Sequence, residues 1–153
     1  MKDQHNVFIS HYHEDEDCIS KMRALLGDDY VFRNSSVTSD KFNQANNTDY
    51  IKGLLRERIT WAKTIICLIG ANTHNSSWVD YEIEYAARQG KEIIGVFTNG
   101  AKDSDIPEAL EKYASSIVCW RREKIIDALN CKYSFENTDG TIRIVGKTNR
   151  STC

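Results

Sequence analysis

Short apolar runs alternate with longer amphipathic segments along the first 130 residues of the chain. The runs at residues 7–9 and 65–69 are continuous and of strand length, which is typical of strands buried on both faces of a sheet. Between them, apolar residues recur at helical spacing. Residues 14–26 show this spacing, and Gly27 follows as a C-cap. The pattern therefore predicts an α/β domain.

Five strands and five helices alternate in this prediction. The predicted strands are residues 7–9, 30–32, 63–69, 92–97 and 117–120. The predicted helices are residues 14–26, 77–88, 109–113 and 121–129, together with one that Thr48 or Asp49 caps and whose apolar face extends from Ile51 to Ile59. Such alternation predicts a flavodoxin-like, doubly wound parallel sheet with helices on both faces. We expect the strand order 2-1-3-4-5, because it places the most apolar strand at the centre. Ligands of such sheets bind where the strand order reverses, here between the carboxyl ends of strands one and three.

Two regions depart from the alternation. Residues 34–47 are rich in Ser, Asn, Thr and Asp, and they predict a long loop of the kind that often serves function. Near the end of the chain, two short alternating segments flank an Asp139-Gly140 pair, which favours a hairpin. We therefore divide the chain into an α/β domain over residues 1–130 and a C-terminal hairpin or flexible tail over residues 131–153.

Charge and cysteine content limit the possible binding partners and the compartment of the protein. The net charge of -2 gives no basic surface that would favour nucleic acid or an anionic membrane, and no apolar run is long enough to span a bilayer. The chain opens without a secretory signal. Its five cysteines show neither a CxxC pair nor zinc-ligand spacing. We expect a cytoplasmic protein with no metal, no nucleic-acid partner and no membrane partner.

Three alternative sites fit the sequence poorly. The motif His11-x-His13-x-Asp15 is reminiscent of metallo-β-lactamase-like hydrolases, but Glu16 stands where their second metal needs histidine. The turn after strand one has no glycine and leads into four acidic residues, which would repel a phosphate group. A receiver domain would need an aspartate after strand three, where the chain has Gly-Ala-Asn at residues 70–72.

A carboxylate at the start of the third helix is the strongest candidate for chemistry. Ser77 and Asp80 form a capping-box pattern, and Glu82 follows Trp78 by one turn at the margin of the apolar stripe. We therefore expect Glu82 to be partly desolvated. Spacing alone leaves two interpretations open: a surface glutamate favoured by the helix dipole, or a carboxylate that stabilises positive charge on a bound sugar.

Three segments resemble a known family. Residues 7–15, Val-Phe-Ile-Ser-His-Tyr-His-Glu-Asp, resemble the opening strand and turn of TIR (Toll/interleukin receptor) domains, and residues 31–34 resemble their second-strand signature. Ser77-Trp78-x-x-x-Glu82 resembles the helix that carries the catalytic glutamate of enzymatic TIR domains. The resemblance covers about residues 5 to 130. The loop after strand two lacks the proline-glycine element of receptor-type TIR domains, so the chain is most similar to the bacterial TIR-like subgroup of Thoeris-type antiphage systems.

The resemblance implies a function and a site. Enzymes of that subgroup consume NAD and make a nucleotide signal for a separate effector. It implies an NAD glycohydrolase or ADP-ribosyl cyclase with NAD as substrate, no metal, self-association with other TIR domains, and the loop after strand two as a lid. Glu82 would be the catalytic residue, and the substrate-binding residues would be Phe8, Ser10, His11, Tyr12, Arg33, Asn34 and Trp78.

Two other functions remain open at this point. A non-catalytic TIR-like protein-interaction module would carry the same fold motifs, with Glu82 as an ordinary helix residue. A nucleoside deoxyribosyltransferase-like enzyme also uses a glutamate on a doubly wound sheet, and it would act on deoxynucleosides and ignore NAD. The sequence does not fix the product, because the group that attacks the sugar after nicotinamide leaves determines whether the product is linear, cyclic or conjugated.

Overall fold

The computed structural model describes residues 5–12, 17–34, 48–98 and 100–145. Five strands lie within these ranges: β1 (His5–Ser10), β2 (Tyr30–Asn34), β3 (Thr64–Ile69), β4 (Glu92–Phe97) and β5 (Ser116–Val118). They alternate with five α-helices: α1 (Asp17–Leu26), α2 (Thr48–Trp61), α3 (Ser77–Arg88), α4 (Glu108–Tyr113) and α5 (Arg122–Leu129). Most of the predicted lid loop, residues 35–47, and part of the histidine motif, residues 13–16, lie outside the described residues.

The five strands form one parallel sheet in the order β2-β1-β3-β4-β5. The predicted flavodoxin-like order is therefore confirmed. Ser10, the last residue of β1, lies opposite Cys67 of β3 in the register. The chain order reverses between these two strands, so the carboxyl end of β1 lies at the switch point of the sheet.

Alternating side chains of the central strands fill two cores, one on each face. Phe8 of β1 and Ile65 of β3 pack under α2, α3 and α4. Val7 and Ile66 point to the other face, against α1 and α5. Because successive strand residues point to opposite faces, Ser10 lies on the same face of β1 as Phe8. This face is the one that α3 covers.

Helix α3 begins and ends at local signals. Its N-cap is Ser76, whose hydroxyl accepts a hydrogen bond of 3.3 Å from the backbone N–H of Val79. The prediction that Ser77 caps the helix is wrong by one residue, because Ser76 has the extended backbone that a cap requires (φ -88°, ψ 113°) and Ser77 is already helical. Gly90 follows the helix with φ 70°, as a C-terminal glycine does.

Strand β4 packs closely against its neighbours at a glycine. A Cβ atom at Gly95 would lie 2.9 Å from Cδ2 of Leu110 in α4 and 3.1 Å from Cδ1 of Ile69 in β3. Ordinary Cβ contacts are longer, so the absence of a side chain lets α4 sit directly on the sheet.

The segment after α5 runs along β5 rather than forming a free hairpin. Phe135 makes a parallel bridge to Ile117, and the predicted hairpin is reduced to one antiparallel bridge between Glu136 and Ile142. Strand β5 ends at Val118, two residues before the predicted boundary. The hydroxyl of Ser116 donates to the carbonyl of Ser134 at 2.6 Å. Contacts to β5 come from residues 134–136, whereas Ile142 and Ile144 are exposed. The division at residue 130 stays a prediction.

Among the residues that the structure describes, no helix combines the length and the apolar character needed to cross a membrane.

Candidate functional site

Ser10 and Glu82 meet at the switch point of the sheet. The Oγ hydroxyl of Ser10 donates a hydrogen bond of 3.2 Å to Oε1 of Glu82. Ser10 is the last residue of β1, and Glu82 lies in the second turn of α3, directly after β3 and its short connection. The contact therefore joins the end of β1 to the helix that follows β3, and the chain order reverses between these two strands. Sequence reasoning selected both residues but did not anticipate that they bond to each other.

Glu82 is fully buried, with 0% of its surface exposed. We expected partial desolvation, so the burial is more complete than the helical spacing indicated. Its second oxygen, Oε2, has no hydrogen-bond partner within the described part of the chain. Burial raises the pKa of Glu82 from the usual 4.5 to about 8, while the Ser10 hydrogen bond lowers it in part. Glu82 is therefore mainly protonated at neutral pH in the free protein.

The other predicted residues of β1 and its turn lie at different depths. Phe8 is completely buried in the core under α2 and α3, so it presents no surface to a ligand in this structure. His11 is 7% exposed, and Tyr12 is partly exposed in the turn that follows β1. The structure brings Ser10 to Glu82 and places Phe8 beneath the site as packing.

Trp78 lies one helical turn before Glu82, on the same side of α3. It is half-buried and packs against the core that contains Phe8. Its indole meets the Tyr81 ring edge-on, with 6.1 Å between ring centroids and an interplanar angle of 90°. Trp78 is thus a fixed, partly accessible aromatic surface beside the buried carboxylate.

Arg33 is held away from this carboxylate. Its guanidinium carbon lies 4.4 Å from the centre of the Trp61 ring, a cation–π arrangement. Trp61 is the last residue of α2, next to the amino end of β3, whereas Glu82 lies towards the carboxyl ends of the strands. Asn34 ends β2, opposite Ile9 in the register. The structure therefore does not bring Arg33 to Glu82.

A cationic groove on the outer side of α3 was not predicted. Tyr81 and Tyr85 stack with 6.4 Å between centroids. Arg56 of α2 donates to the Tyr81 hydroxyl at 3.3 Å, and the ammonium of Lys52 lies 5.2 Å from the centre of the same ring. The signal in the sequence is the spacing of four within each pair, Lys52 with Arg56 and Tyr81 with Tyr85, which places each pair on one helix face.

A cavity lies elsewhere on the same edge of the sheet. It has a volume of about 460 Å³, and its lining comes from the carboxyl ends of β4 and β5, from α1 and from the segment after α5. Glu82 is not among its lining residues. The described part of the chain also contains no group of three or more His, Cys, Asp and Glu side chains placed to hold a metal ion.

Comparison with known proteins places the chain in a family. The profile of the family described as "Thoeris protein ThsB, TIR-like domain" matches residues 8–103. A relative from Cytobacillus dafuensis, named a putative cyclic ADP-D-ribose synthase TIR2, is 28% identical over 95 residues, which are 61% of this chain and 25% of the relative. The chain thus spans about a quarter of the length of that curated relative.

One solved structure aligns with much of the chain. The CMP N-glycosidase BcmB of Clostridium botulinum aligns over 82% of this chain and 98% of its own length, with 15% identity and a TM-score of 0.47. The family profile, by contrast, matches the sequence over more than half of the chain and includes the second half of β1, both residues of the buried pair and all of β4. The chain therefore belongs to the TIR-like domain family of Thoeris ThsB proteins.

Proposed function

We propose that this chain cleaves the bond between nicotinamide and ribose in NAD⁺, with Glu82 as the catalytic carboxylate. We further propose that the ADP-ribose-derived product acts as a nucleotide signal in antiphage defence. One observation carries the proposal: in a TIR-like domain, a buried carboxylate hydrogen-bonded to Ser10 stands at the switch point of the sheet. The name of the Cytobacillus dafuensis relative, a putative cyclic ADP-D-ribose synthase, supports NAD as the substrate.

The chemistry needs an anion beside the ribose. When the bond between the anomeric carbon and the pyridinium nitrogen breaks, both electrons leave with neutral nicotinamide, and positive charge develops on the sugar as in glycoside hydrolysis. An ionised Glu82 in a site closed to water would stabilise that charge strongly. A carboxyl group with a pKa of about 8 loses its proton readily when a cation approaches, because a nearby positive charge favours the ionised form.

The two carboxylate oxygens of Glu82 differ in their hydrogen bonding, because Ser10 bonds to only one of them. Its hydroxyl occupies Oε1, while Oε2 has no partner within the described residues and would accept hydrogen bonds from ribose hydroxyls. His11, Tyr12 and Trp78 would form the surface around the sugar and the nicotinamide ring. Because Glu82 has no exposed surface in the free protein, binding of NAD requires neighbouring side chains to move.

The phosphate contacts are part of the same proposal. Arg33 would have to leave the Trp61 ring to reach the phosphates of NAD, and Asn34 would approach the ribose from the end of β2. The nucleophile that attacks the sugar cation sets the product. Water gives ADP-ribose, and a hydroxyl or ring nitrogen of the substrate itself gives a cyclic form. Self-association with other TIR domains and a separate effector complete the proposed system.

Nicotinamide release tests the proposal directly. The purified chain is incubated with NAD⁺, and free nicotinamide and nucleotide products are separated by liquid chromatography and identified by mass. Glu82→Gln should abolish release. Glu84→Gln is the matched control, because Glu84 lies on the same helix with its side chain exposed, and it should leave release unchanged. Equal turnover by the parent chain and Glu82→Gln would remove Glu82 from the mechanism.

A non-catalytic TIR-like interaction module is the second candidate. The complete burial of Glu82 favours it, since a carboxylate without exposed surface resembles a structural residue. A chain that binds NAD⁺ in a titration but releases no nicotinamide would support this alternative. The family membership does not favour the nucleoside deoxyribosyltransferase-like alternative.

A further inference from the structure

A preformed cavity lies at the carboxyl ends of β4 and β5, and we call it the β4–β5 cavity. It has a volume of about 460 Å³, within the range of roughly 300 to 1,000 Å³ that is common for small-molecule sites. It occupies the edge of the sheet at which open α/β folds bind ligands. The proposed NAD site lies at the same edge but uses β1 and α3. No residue named for that site is among those that line the β4–β5 cavity.

The lining combines aromatic rings, neutral polar groups and one cation. Phe97 and Trp120 supply the rings, and Thr98 and Thr138 supply hydroxyl groups. Among the described residues that line the cavity, Lys21 of α1 is the one charged side chain and none is a carboxylate. Phe97 is buried and forms the floor, whereas the Trp120 ring is partly exposed. Such a lining suits a planar ring that carries an anionic group, because the indole offers a stacking surface and the ammonium offers a phosphate contact.

The cation in the lining has no carboxylate partner among the described residues. The ion pairs found there join Arg121 to Glu136, Arg143 to Glu111 and His74 to Asp105, and none involves Lys21. Two acidic side chains near the cavity already accept hydrogen bonds from other groups. Glu136 accepts from Arg121 and from the Cys119 amide, and Asp103 accepts from the Thr138 amide at 2.7 Å. As far as the described ranges extend, Lys21 is therefore available to an anionic ligand.

The rim of the cavity is held in place by hydrogen bonds. The thiol of Cys119 donates to the carbonyl of Asn137 at 3.2 Å, and the bond from the Thr138 amide to Asp103 fixes the next residue. Burial is the main cause that raises the pKa of Cys119, so its thiol stays neutral and does not repel an anion. Trp120, Cys119 and Thr138 lie beyond residues 8–103, so part of the cavity comes from outside the region that the family profile matches.

We propose that the β4–β5 cavity binds a nucleoside monophosphate, with the base against the partly exposed Trp120 and the phosphate at Lys21. This inference does not rest on the proposed NAD cleavage, because it concerns other residues and a different ligand.

The experiment uses the full chain carrying Glu82→Gln, which prevents turnover, and adenosine monophosphate as the probe. Binding is measured by calorimetry and by amide and indole NMR shifts, with adenosine and inorganic phosphate titrated separately. We expect saturable binding of the monophosphate that is tighter than that of either part. The largest shifts should fall on Lys21, Thr98 and the Trp120 indole. Parent chain and Glu82→Gln should bind the probe equally.

Two charge-reversal variants make the test specific. Lys21→Glu should weaken monophosphate binding by about tenfold or more, because a favourable phosphate contact becomes repulsive. Lys132→Glu changes net charge equally at an exposed lysine outside the lining, and it should bind like the parent. Absence of binding, equal weakening by both variants, or shifts centred on Ser10 and Glu82 would each overturn the proposal.

Discussion

Ser10 Oγ and Glu82 Oε1 are 3.2 Å apart, and this hydrogen bond joins the end of β1 to the second turn of α3. The bond stabilises the ionised carboxylate and so limits the rise in the pKa of Glu82. Ser10→Ala should therefore raise that pKa further. If ionised Glu82 is the active form, kcat/KM for NAD⁺ in the parent chain should rise with pH and level off above about pH 8.

In Ser10→Ala the same rise should occur at higher pH, and kcat/KM at neutral pH should fall by about tenfold, the typical value of a hydrogen bond to a charged group. The pH dependence of initial rates measures both effects. Ser77→Ala, an exposed serine at the start of α3, serves as the control and should keep the parent profile. Superimposable profiles for Ser10→Ala and the parent would contradict a role of Ser10 in setting the ionisation of Glu82.

Glu82→Gln should stabilise the fold at alkaline pH. The folded-state pKa of about 8 is above the unfolded value near 4.5, so the protonated form of Glu82 favours folding below pH 4.5. This contribution is lost as pH rises from 4.5 through 8, by about 1.4 kcal/mol per pH unit at most, and the loss is complete above 8. The neutral amide of the variant does not suffer this loss.

Thermal or denaturant unfolding between pH 5 and about pH 9 checks this prediction. The difference in the free energy of unfolding between Glu82→Gln and the parent should grow with pH and then become constant. Glu84→Gln, at an exposed position, should show no such trend. A difference that is independent of pH would mean that burial does not perturb the ionisation of Glu82.

Gly95→Val should destabilise the fold through crowding between β4 and α4. A Cβ at this position already approaches Leu110 and Ile69 to within 2.9 and 3.1 Å, and the two methyl groups of valine would extend further towards them. Overpacking of this kind costs about 1–3 kcal/mol. Denaturant unfolding measures the change. Gly53→Ala is the matched control, because nothing lies within 4 Å of a Cβ at that helical position and alanine favours helix.

Glu136→Ala should loosen the segment that covers β5. The carboxylate is 5% exposed and accepts hydrogen bonds from the Cys119 amide and from Arg121. Its removal leaves a sheltered amide without this partner, which costs about 1–3 kcal/mol. Hydrogen exchange should become faster at the amides of Cys119 and Glu136 in the variant. Glu123→Ala, at an exposed position in α5, should leave that exchange unchanged.

The order and boundaries of the elements followed closely from local patterns. Strand β4 and helix α3 have the predicted bounds, because an apolar run bounded by polar residues and a strong helical stripe both leave little choice. The cap of α3 was misassigned because Ser76 and Ser77 are equally good caps by residue type. Strand β5 was predicted to extend too far, because Cys119 and Trp120 continue the apolar run. In the structure these two residues follow the strand and line the β4–β5 cavity.

The parts of the site that depend on distant contacts were not predictable in the same way. Helical spacing put Glu82 at the margin of the buried stripe, but it could not show the hydrogen bond to Ser10, which lies 72 residues earlier in the chain. Phe8 was predicted to bind substrate because it belongs to the opening motif. The pleat of β1 instead points its side chain into the core. The docking of Phe135 on Ile117 likewise depends on which strand ends the sheet, and local residue patterns do not show this.

The segment that covers β5 restricts which strands can pair with this edge of the sheet. Backbone groups of Ile117 are already engaged, since its amide donates to Ser134 and its carbonyl accepts from Glu136. An extended peptide from another molecule would therefore have to displace the chain's own residues before it could add to the sheet here. Truncating the protein ahead of Ser134 would expose this backbone and leave an unpaired sheet edge, which promotes aggregation.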